Sequence, residues 1–328
     1  MKAVAVSLTH GPSLELVKKP IPPVREEQCL VQLRAAALNR RDFWISQGKY
    51  PGIKPGVTLG SDGCGVVVDG DPSWIDQEVI INPNVGWGND PDFQSADYSI
   101  LGMPTDGTLA GYIVVSSHRL HPKPVFLSDH QAAAIPLAGL TAYRTVFTKA
   151  GVQPGHLLLV TGIGGGVAQF AMNFALAAGA RVVVTSGTDE KIAMAMAQGA
   201  TTGFNYSKPT WVTDALQIGQ YDAIIDSAGG LAINDYLKLI KPGGKIVSYG
   251  STAGKPKELD LYRLFWSQAS LMGSTMGNDE EFDQMVAFVE AHQIRPVVDR
   301  VFGLQEGVDA VRFMGESSHY GKIVIDIQ

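Results

Sequence analysis

One stretch of the chain, residues 157–186, constrains the fold more than any other; it reads LLLVTGIGGGVAQFAMNFALAAGARVVVTS. Leu157 to Val160 form an apolar run that suits a strand buried on both faces of a parallel sheet. A glycine-dense turn follows, then a helix predicted over 167–178 and a second strand predicted over 181–185. Together these segments predict one βαβ unit whose helix begins at the turn.

The glycines of this turn indicate a dinucleotide-binding site. Without Cβ atoms the main chain can adopt unusual backbone angles, and a pyrophosphate can approach it closely. The helix that follows directs unpaired N–H groups and the positive end of its dipole at that anion. Because the spacing departs from G-x-G-x-x-G, a turn that uses glycine only for its geometry stays open as the alternative. The cofactor contacts predicted here are Gly162, Gly164, Gly165, Gly166 and Val167.

The whole chain is predicted to form two domains of the α/β class. Its 328 residues exceed what a single hydrophobic core usually organises. Residues 1–124 contain short apolar strands separated by Gly and Pro, which predicts an antiparallel, barrel-like domain. Residues 125–275 alternate strands and helices, which predicts a doubly wound parallel sheet. The tail, residues 276–328, is predicted to complete the first domain.

Charge and composition argue against several classes of partner. Lys and Arg number 26 and Asp and Glu 32, a formal net charge of −6 without basic clusters, which argues against nucleic acid or an anionic membrane. No apolar stretch approaches transmembrane length and the N-terminus lacks a signal-peptide pattern, so a cytoplasmic protein is expected. Cys29 and Cys64 are too few for a disulfide framework or a cysteine-rich zinc site.

Eight motifs occur in the order of one enzyme superfamily. They are ALNRRDFWISQGKYP at 37–51, PGVTLGSDGCGVV at 55–67, GTLAGYIVV at 107–115, PLAGLTAY at 136–143, VTGIGGGVA at 160–168, GARVVVTSGTDEK at 179–191, KPGGKIVSYG at 241–250 and HYGKIVI at 319–325. Through them nearly the whole chain resembles the medium-chain dehydrogenase/reductase superfamily, and within it the zinc-free quinone oxidoreductase-like branch. The resemblance implies a GroES-like catalytic domain and a Rossmann domain, with a nicotinamide cofactor in the cleft between them.

The resemblance also implies that both zinc ions of the zinc-dependent relatives are lost. In those relatives the catalytic zinc is held by residues that match Asn39, Ser61 and either Leu137 or Ala138. None of these side chains belongs to the nitrogen and sulfur ligands that Zn²⁺ favours. The loop 83–108 stands where the relatives have a four-cysteine zinc lobe, and it contains no cysteine. Asp62 remains, and it is expected to form a buried hydrogen bond or ion pair rather than to bind a metal.

Without a metal, a carbonyl or enone must be polarised by hydrogen-bond donors placed where negative charge develops. Asn39 is the favoured donor through its side-chain amide, and Asp42 is expected to orient it. Tyr50 matches a tyrosine near the nicotinamide of many relatives, where its hydroxyl could donate a hydrogen bond or a proton. Thr141 matches a residue near the nicotinamide ring, and Arg40 matches one that can reach the pyrophosphate. For each residue a purely structural role stays open.

NADP(H) is the predicted cofactor, on an argument from charge. NAD-selective sites usually carry an acidic residue at the end of the second strand, and here Ser186 stands there. A small hydroxyl leaves space for a 2′-phosphate, to which Lys191 and Tyr206 can donate. The nearby charge of Asp189 would weaken that binding. The other predicted cofactor contacts are Ser227, Gly250 and Ser251.

These features predict an NADPH-dependent oxidoreductase that transfers hydride to a small electrophile such as a quinone, an enone or a reactive aldehyde. Two alternatives stay open: NAD(H)-dependent alcohol or aldehyde interconversion, and a non-catalytic NADPH-binding sensor. The resemblance further implies a homodimer or homotetramer, formed through edge strands near residues 270–277. The aromatic candidates for lining the substrate pocket are Phe43, Trp44, Trp87 and Trp266.

Overall fold

The structure of the chain is a computed structural model that describes residues 1–9, 11–316 and 318–327. The chain divides into two compact units, Met1–Ala138 with Asn278–Gln328 and Gly139–Gly277. The first boundary therefore differs from the 124/125 expected from the sequence. The physical reason is that the helix over residues 129–133 packs on the antiparallel strands of the first unit and buries Ala132 and Ala133 there.

The N-terminal part of the chain is built from short strands and two short helices. These elements are β1 (Lys2–Ser7), β2 (Ser13–Lys18), β3 (Gln28–Ala37), α1 (Arg40–Ser46), β4 (Asp62–Gly70), β5 (Glu78–Ile81), β6 (Asn84–Val85), β7 (Ser99–Ile100), β8 (Tyr112–Ser116), β9 (Leu120–Pro122) and α2 (Asp129–Ala133).

The central part alternates helices and strands. Its elements are α3 (Pro136–Tyr143), β10 (Leu157–Val160), α4 (Gly166–Ala177), β11 (Arg181–Ser186), α5 (Asp189–Ala197), β12 (Thr202–Asn205), α6 (Trp211–Ile218), β13 (Tyr221–Asp226), α7 (Ile233–Leu239), β14 (Ile240–Ser248), α8 (Leu261–Trp266) and β15 (Ser270–Gly273). The tail then adds α9 (Asp279–Ala291), β16 (Val298–Gly303), α10 (Gly307–Gly315) and β17 (Lys322–Asp326).

The sheets confirm the predicted fold class. In the second unit six parallel strands run in the order β12-β11-β10-β13-β14-β15, with helices in the connections, as in a doubly wound Rossmann sheet. In the first unit β16-β17-β3-β4-β5-β9 form one mainly antiparallel sheet, to which β8 adds by pairing with β3. Three helices were not predicted from the sequence: α1, α6 and α8. Of these, α6 buries Trp211 and Ala215, four residues apart on one face.

The C-terminal strand sits beside the strand that leads into the first helix. β17 pairs antiparallel with β3, with Val324 opposite Ala37, and the N–H of Leu38 donates to the Ile323 carbonyl at 2.9 Å. This register brings the beginning of β17 next to residue 39. Among the described residues no helix is long and apolar enough to cross a membrane, and the cytoplasmic location stays a prediction.

Candidate active site

The backbone of Asn39 is fixed by a buried carboxylate. Asn39 precedes α1 as its N-cap, and its N–H donates to Asp42 Oδ2 at 2.8 Å, while the Gly60 N–H donates to Asp42 Oδ1 at 3.3 Å. Burial raises the pKa of the Asp42 carboxyl, although the positive charge of Arg41 opposes that shift. The expectation that Asp42 orients the Asn39 side chain is therefore corrected: Asp42 holds the main chain of Asn39.

The side-chain amide of Asn39 is held by two other residues. Its Nδ2 donates to Asp62 Oδ2 at 2.8 Å, and its Oδ1 accepts from Lys322 Nζ at 2.8 Å. Lys322 Nζ also donates to Asp62 Oδ2 at 2.9 Å, and the Leu137 N–H donates to Asp62 Oδ1 at 2.8 Å. Asn39, Asp62 and Lys322 are only 7%, 0% and 4% exposed. The buried ion pair expected of Asp62 is present, and its partner is Lys322.

The residues around Asp62 do not fit a catalytic zinc. Asn39 and Leu137, two of the positions that match zinc ligands, both donate hydrogen bonds to the Asp62 carboxylate. The third, Ser61, accepts from the Arg41 guanidinium at 2.6 Å and donates to the Leu101 carbonyl at 2.8 Å. Thiolate or imidazole ligands are missing from this set, and an ammonium already neutralises its carboxylate. Elsewhere in the described chain, three or more His, Cys, Asp or Glu side chains nowhere gather as a metal site would require.

Tyr50 is held by a buried arginine. Arg41, 8% exposed, donates from Nε to the Tyr50 hydroxyl oxygen at 3.3 Å, and its guanidinium carbon lies 5.0 Å from the centre of the Tyr50 ring. Other guanidinium nitrogens donate to the carbonyls of Leu101 and Met103 at 2.7 and 3.2 Å. Because the Tyr50 oxygen accepts from Arg41, its own hydrogen can be donated to another acceptor.

Two other predicted residues have protein partners. Arg40 donates to the Met314 carbonyl at 3.0 Å, which ties α1 to α10. Thr141 belongs to the second unit, where its hydroxyl lies 3.8 Å from the Met276 sulfur. Their proposed contacts with a cofactor stay predictions.

The loop that lacks the zinc-lobe cysteines is organised by an aromatic pair. The rings of Trp87 and Tyr98 pack edge-on with centres 5.3 Å apart, and the Trp87 indole donates to the Asp90 carbonyl at 2.9 Å. Trp87 is 3% exposed, so it serves as core of this loop, whereas Trp266 is 73% exposed. Of the four aromatic residues predicted to line the substrate pocket, Trp87 is thus the most buried and Trp266 the most exposed.

In the second unit, the glycine turn has a backbone that side chains would disturb. Gly162 has a φ of 63°, which disfavours any side chain, and a Cβ there would lie 3.1 Å from Ser227 Oγ. The Gly165 N–H donates to the Gly162 carbonyl at 3.0 Å, and Gly165 is the N-cap of α4, so no side chain caps this helix. The first N–H groups of an α-helix have no acceptor within the helix, so those of Gly166 and Val167 suit an anion.

The ends of β13 and β14 meet beside this turn. Asp226 is fully buried and accepts from Thr161 Oγ1 at 2.8 Å, from the Tyr236 hydroxyl at 2.9 Å and from the Gly229 N–H at 2.8 Å. It thereby fixes the turn that begins at Ser227. A Cβ on Gly250 would lie 2.9 Å from the Ser227 carbonyl oxygen. The structure thus brings together Ser227 and Gly250, with Ser251 following, as the sequence predicted for strand ends in one parallel sheet.

At the end of β11, Ser186 is surrounded by hydrogen-bonding groups. Ser186 Oγ accepts from the Thr188 N–H at 3.2 Å, and the Tyr206 N–H donates to the Ser186 carbonyl at 3.0 Å. A Cβ on Gly187 would lie 2.8 Å from the Tyr206 hydroxyl, so this ring lies across Gly187. Two of the three residues predicted to contact a 2′-phosphate, Ser186 and Tyr206, therefore lie side by side.

Asp189, which the sequence suggested would repel a phosphate, is engaged by its neighbours. Hydrogen bonds from Asn205 Nδ2 at 3.0 Å and Lys208 Nζ at 2.9 Å lower the pKa of the Asp189 carboxyl. Lys208 thus offsets the negative charge. The sequence signal that could have revealed it is the position of Lys208 just beyond β12, next to the predicted phosphate contact Tyr206.

Comparisons with known proteins agree over the full length of the chain. The alcohol dehydrogenase GroES-like domain family matches residues 25–125, and the zinc-binding dehydrogenase family matches residues 166–291. The chain is 36% identical to the zinc-type alcohol dehydrogenase-like protein YogA of Leptosphaeria maculans, over 99% of this chain and 97% of that protein. The chain belongs to the medium-chain dehydrogenase/reductase superfamily.

Within this superfamily the chain lies in the alcohol dehydrogenase-like and quinone oxidoreductase-like branch, and it is an oxidoreductase. It is 28% identical to the quinone oxidoreductase of Pongo abelii, over 94% of this chain and 92% of that protein. It is also similar to a crystal structure described as an NAD-dependent alcohol dehydrogenase, with 33% identity, a TM-score of 0.93 and 100% of both chains covered.

For a medium-chain dehydrogenase/reductase, three residues near the predicted site have contacts that the sequence-based reasoning missed. Lys322, Arg41 and Asp226 hold, respectively, the Asn39 amide, the Tyr50 hydroxyl and the Ser227 turn. All three are charged residues within or next to an apolar strand or helix. In a sequence, this pattern indicates that the charge is buried and has a partner. The pattern gives no indication of which partner it is.

Proposed function

We propose that this chain is an NADPH-dependent oxidoreductase that reduces a quinone, an enone or a reactive aldehyde by hydride transfer without zinc. The observation that carries the proposal is the Asn39 amide. Its Nδ2 has two hydrogens, of which one is bound to Asp62, and the second has no partner among residues 1–9, 11–316 and 318–327. A buried, oriented N–H donor of this kind suits the oxygen on which negative charge develops during reduction.

The nicotinamide supplies the hydride when it is bound, and the residues of the chain handle the substrate oxygen. Asn39 donates a hydrogen bond to that oxygen, which gains negative charge as the hydride adds to carbon. Tyr50 donates a second hydrogen bond and then its proton, so that the hydride and this proton together make a two-electron, two-proton reduction. Arg41 donates to the Tyr50 hydroxyl oxygen and so holds this hydroxyl in place. Both donors are fixed before substrate binds, so little reorganisation is needed.

The proposal of NADPH rests on the residues after β11. Ser186 brings no negative charge against a 2′-phosphate, Tyr206 lies beside it, and the Asp189 charge is compensated by Lys208. NAD(H) is the second candidate, because the solved structure that is 33% identical to this chain is described as NAD-dependent.

A cofactor and substrate panel tests the proposed function. We expect loss of the reduced-nicotinamide absorbance with NADPH and at least one quinone, enone or aldehyde, with kcat/KM at least about tenfold above that with NADH and unchanged by a chelator. No turnover with any acceptor, despite tight NADPH binding, would favour the sensor. Chelator-sensitive alcohol oxidation with NAD⁺ and stoichiometric zinc would favour the alcohol dehydrogenase.

We also propose that the chain forms a homo-oligomer through the β15 edge of the second unit. β15 ends the six-stranded sheet, and Leu271 on it is 41% exposed. The neighbouring α8 exposes Tyr262, Phe265 and Trp266, at 62%, 63% and 73%, with the Tyr262 and Trp266 rings stacked 5.9 Å apart. A free strand edge beside a cluster of exposed aromatic rings suits a second copy of the same surface.

Charge on the β15 edge is expected to dissociate the oligomer. Leu271→Asp should lower the mass measured by sedimentation to that of one chain, because an unpaired carboxylate would be buried in the interface. Val125→Asp, at a site 97% exposed in the first unit, is the control and should leave the mass unchanged. A wild-type protein that sediments as a single chain would contradict the proposal.

A further inference from the structure

We propose that Lys322 is a positioning residue for reduction: its ammonium fixes the Asn39 amide in one orientation and polarises it, so that the second Nδ2 hydrogen is presented to the substrate oxygen. This inference rests on the proposed function and names the part of the site that prepares its main donor. Lys322 lies 283 positions from Asn39 in the sequence, and Nζ is 2.8 Å from Asn39 Oδ1.

The orientation of the amide follows from what its two neighbours can do. An ammonium only donates hydrogen bonds and an ionised carboxylate only accepts them. With Oδ1 on Lys322 and Nδ2 on Asp62, both contacts of Asn39 are satisfied at 2.8 Å. A flipped amide would place NH₂ against the ammonium and oxygen against the carboxylate, so both contacts would become repulsive. The Lys322–Asp62 pair therefore selects one of the two amide orientations, and the second Nδ2 hydrogen has a fixed direction.

The ammonium also strengthens the donor that it positions. A positive charge that is hydrogen-bonded to the amide oxygen draws electron density away from the amide nitrogen. Consecutive hydrogen bonds, from the ammonium to the amide and from the amide to the substrate, polarise one another. The effect is large only where water does not screen it, and Lys322 is 4% exposed. Lys322 thus places its ammonium 2.8 Å from the side chain of Asn39, the residue that matches a cysteine zinc ligand. Zinc-dependent relatives use the metal to polarise the substrate, and here the charge acts through an amide.

The Lys322–Asp62 pair also stabilises the fold. A loss of activity after a single substitution could therefore come from a loss of stability. Asp62 is fully buried, and removal of Lys322 leaves its charge without a counter-ion, which is costly. The double variant Asp62→Asn with Lys322→Met removes both charges at once. In that variant the amide at position 62 accepts from the Leu137 N–H through its oxygen and donates its NH₂ towards Asn39. Asn39 then turns its oxygen to position 62, and its donor is lost.

The kinetic test compares four variants with wild type. We expect Lys322→Met and the double variant to lose about 10-fold to 100-fold in kcat, the range for removing the partner of an active-site ligand, with the NADPH KM unchanged. Lys322→Arg should recover most of the lost kcat, because it restores a cationic donor. Lys123→Met is the control, since Lys123 forms a similar partly buried pair with Asp129 at 2.7 Å in the same unit. It should lower only the melting temperature.

One kinetic outcome would overturn the inference. If the double variant melts near the wild-type temperature and also regains the wild-type kcat, Lys322 merely neutralises Asp62. Wild-type protein that reduces no acceptor would instead count against the proposed function.

A spectroscopic measurement tests the inference without turnover. In ¹⁵N-resolved spectra the side-chain amide of Asn39, assigned by its loss in Asn39→Ala, should show two widely separated, slowly exchanging protons in wild type. In the double variant these protons should move together and exchange faster, because the carboxylate and ammonium contacts are gone. Unchanged Asn39 signals in the double variant would overturn the proposed positioning, whatever the enzyme's substrate.

Discussion

Asn39→Ala is expected to lower kcat by about 100-fold to 1,000-fold, the loss typical of removing one donor from the oxygen-binding site of an enzyme. The substitution removes a buried amide that Asp62 and Lys322 hold in one orientation, directly before α1. Steady-state kinetics with saturating NADPH measure the effect. The NADPH KM should change little, because the glycine turn and Ser186 belong to the second unit.

A second buried asparagine provides the control for this prediction. Asn82 is 1% exposed, donates to Asp279 at 2.9 Å and accepts from the Asn84 N–H at 3.0 Å. Asn82→Ala therefore leaves buried polar groups unpaired much as Asn39→Ala does, at about 1–3 kcal/mol of stability. Its partners are Asp279 and Asn84 rather than Asp62 and Lys322. We expect it to lower the melting temperature and spare kcat. Equal kcat losses in the two variants would show that Asn39 acts only through folding.

Ser186→Asp is expected to raise the NADPH KM about 100-fold, equivalent to about 2.7 kcal/mol, and to improve the use of NADH. A carboxylate at this position repels a 2′-phosphate and accepts from a ribose 2′-hydroxyl. The variant should fold, because an aspartate oxygen can still accept from the Thr188 N–H as Ser186 Oγ does at 3.2 Å. Initial rates with both cofactors, and calorimetric titration of each oxidised form, measure the switch.

The matched control carries the same charge on a solvent-exposed face. Thr213 is exposed on α6, so Thr213→Asp changes the net charge of the protein equally. It should leave the preference for NADPH over NADH unaltered. If Ser186→Asp weakens both cofactors by the same factor, Ser186 does not face the 2′ position and the assignment of NADPH loses its basis.

The sequence predicted best where short-range patterns decide the structure. Leu157–Val160 is a strand with the predicted bounds, and the glycine turn between β10 and α4 has the left-handed backbone at Gly162 that only glycine adopts easily. Helix α6 was missed, because its apolar residues span only two turns.

For the candidate site, the sequence identified the groups but not their partners. It predicted a buried hydrogen bond or ion pair for Asp62, and the structure has both. The role of Asn39 as a donor to the substrate stays a prediction. The sequence-based reasoning assigned Asp42 to the Asn39 side chain, whereas Asp42 binds the Asn39 main chain at 2.8 Å and the side chain contacts Asp62 and Lys322.

What the sequence determined by itself was local: apolar runs and glycines fix strands and the tight turn before α4, and side-chain types leave no zinc-favouring ligands at the matched positions. What only the tertiary structure decided was which charges meet. The pairing of β17 with β3 brings Lys322 to Asn39 across 283 residues of chain. The physical reason is that backbone conformation depends on neighbours in sequence, whereas a buried charge is stabilised by whichever partner the strand register places within hydrogen-bond distance.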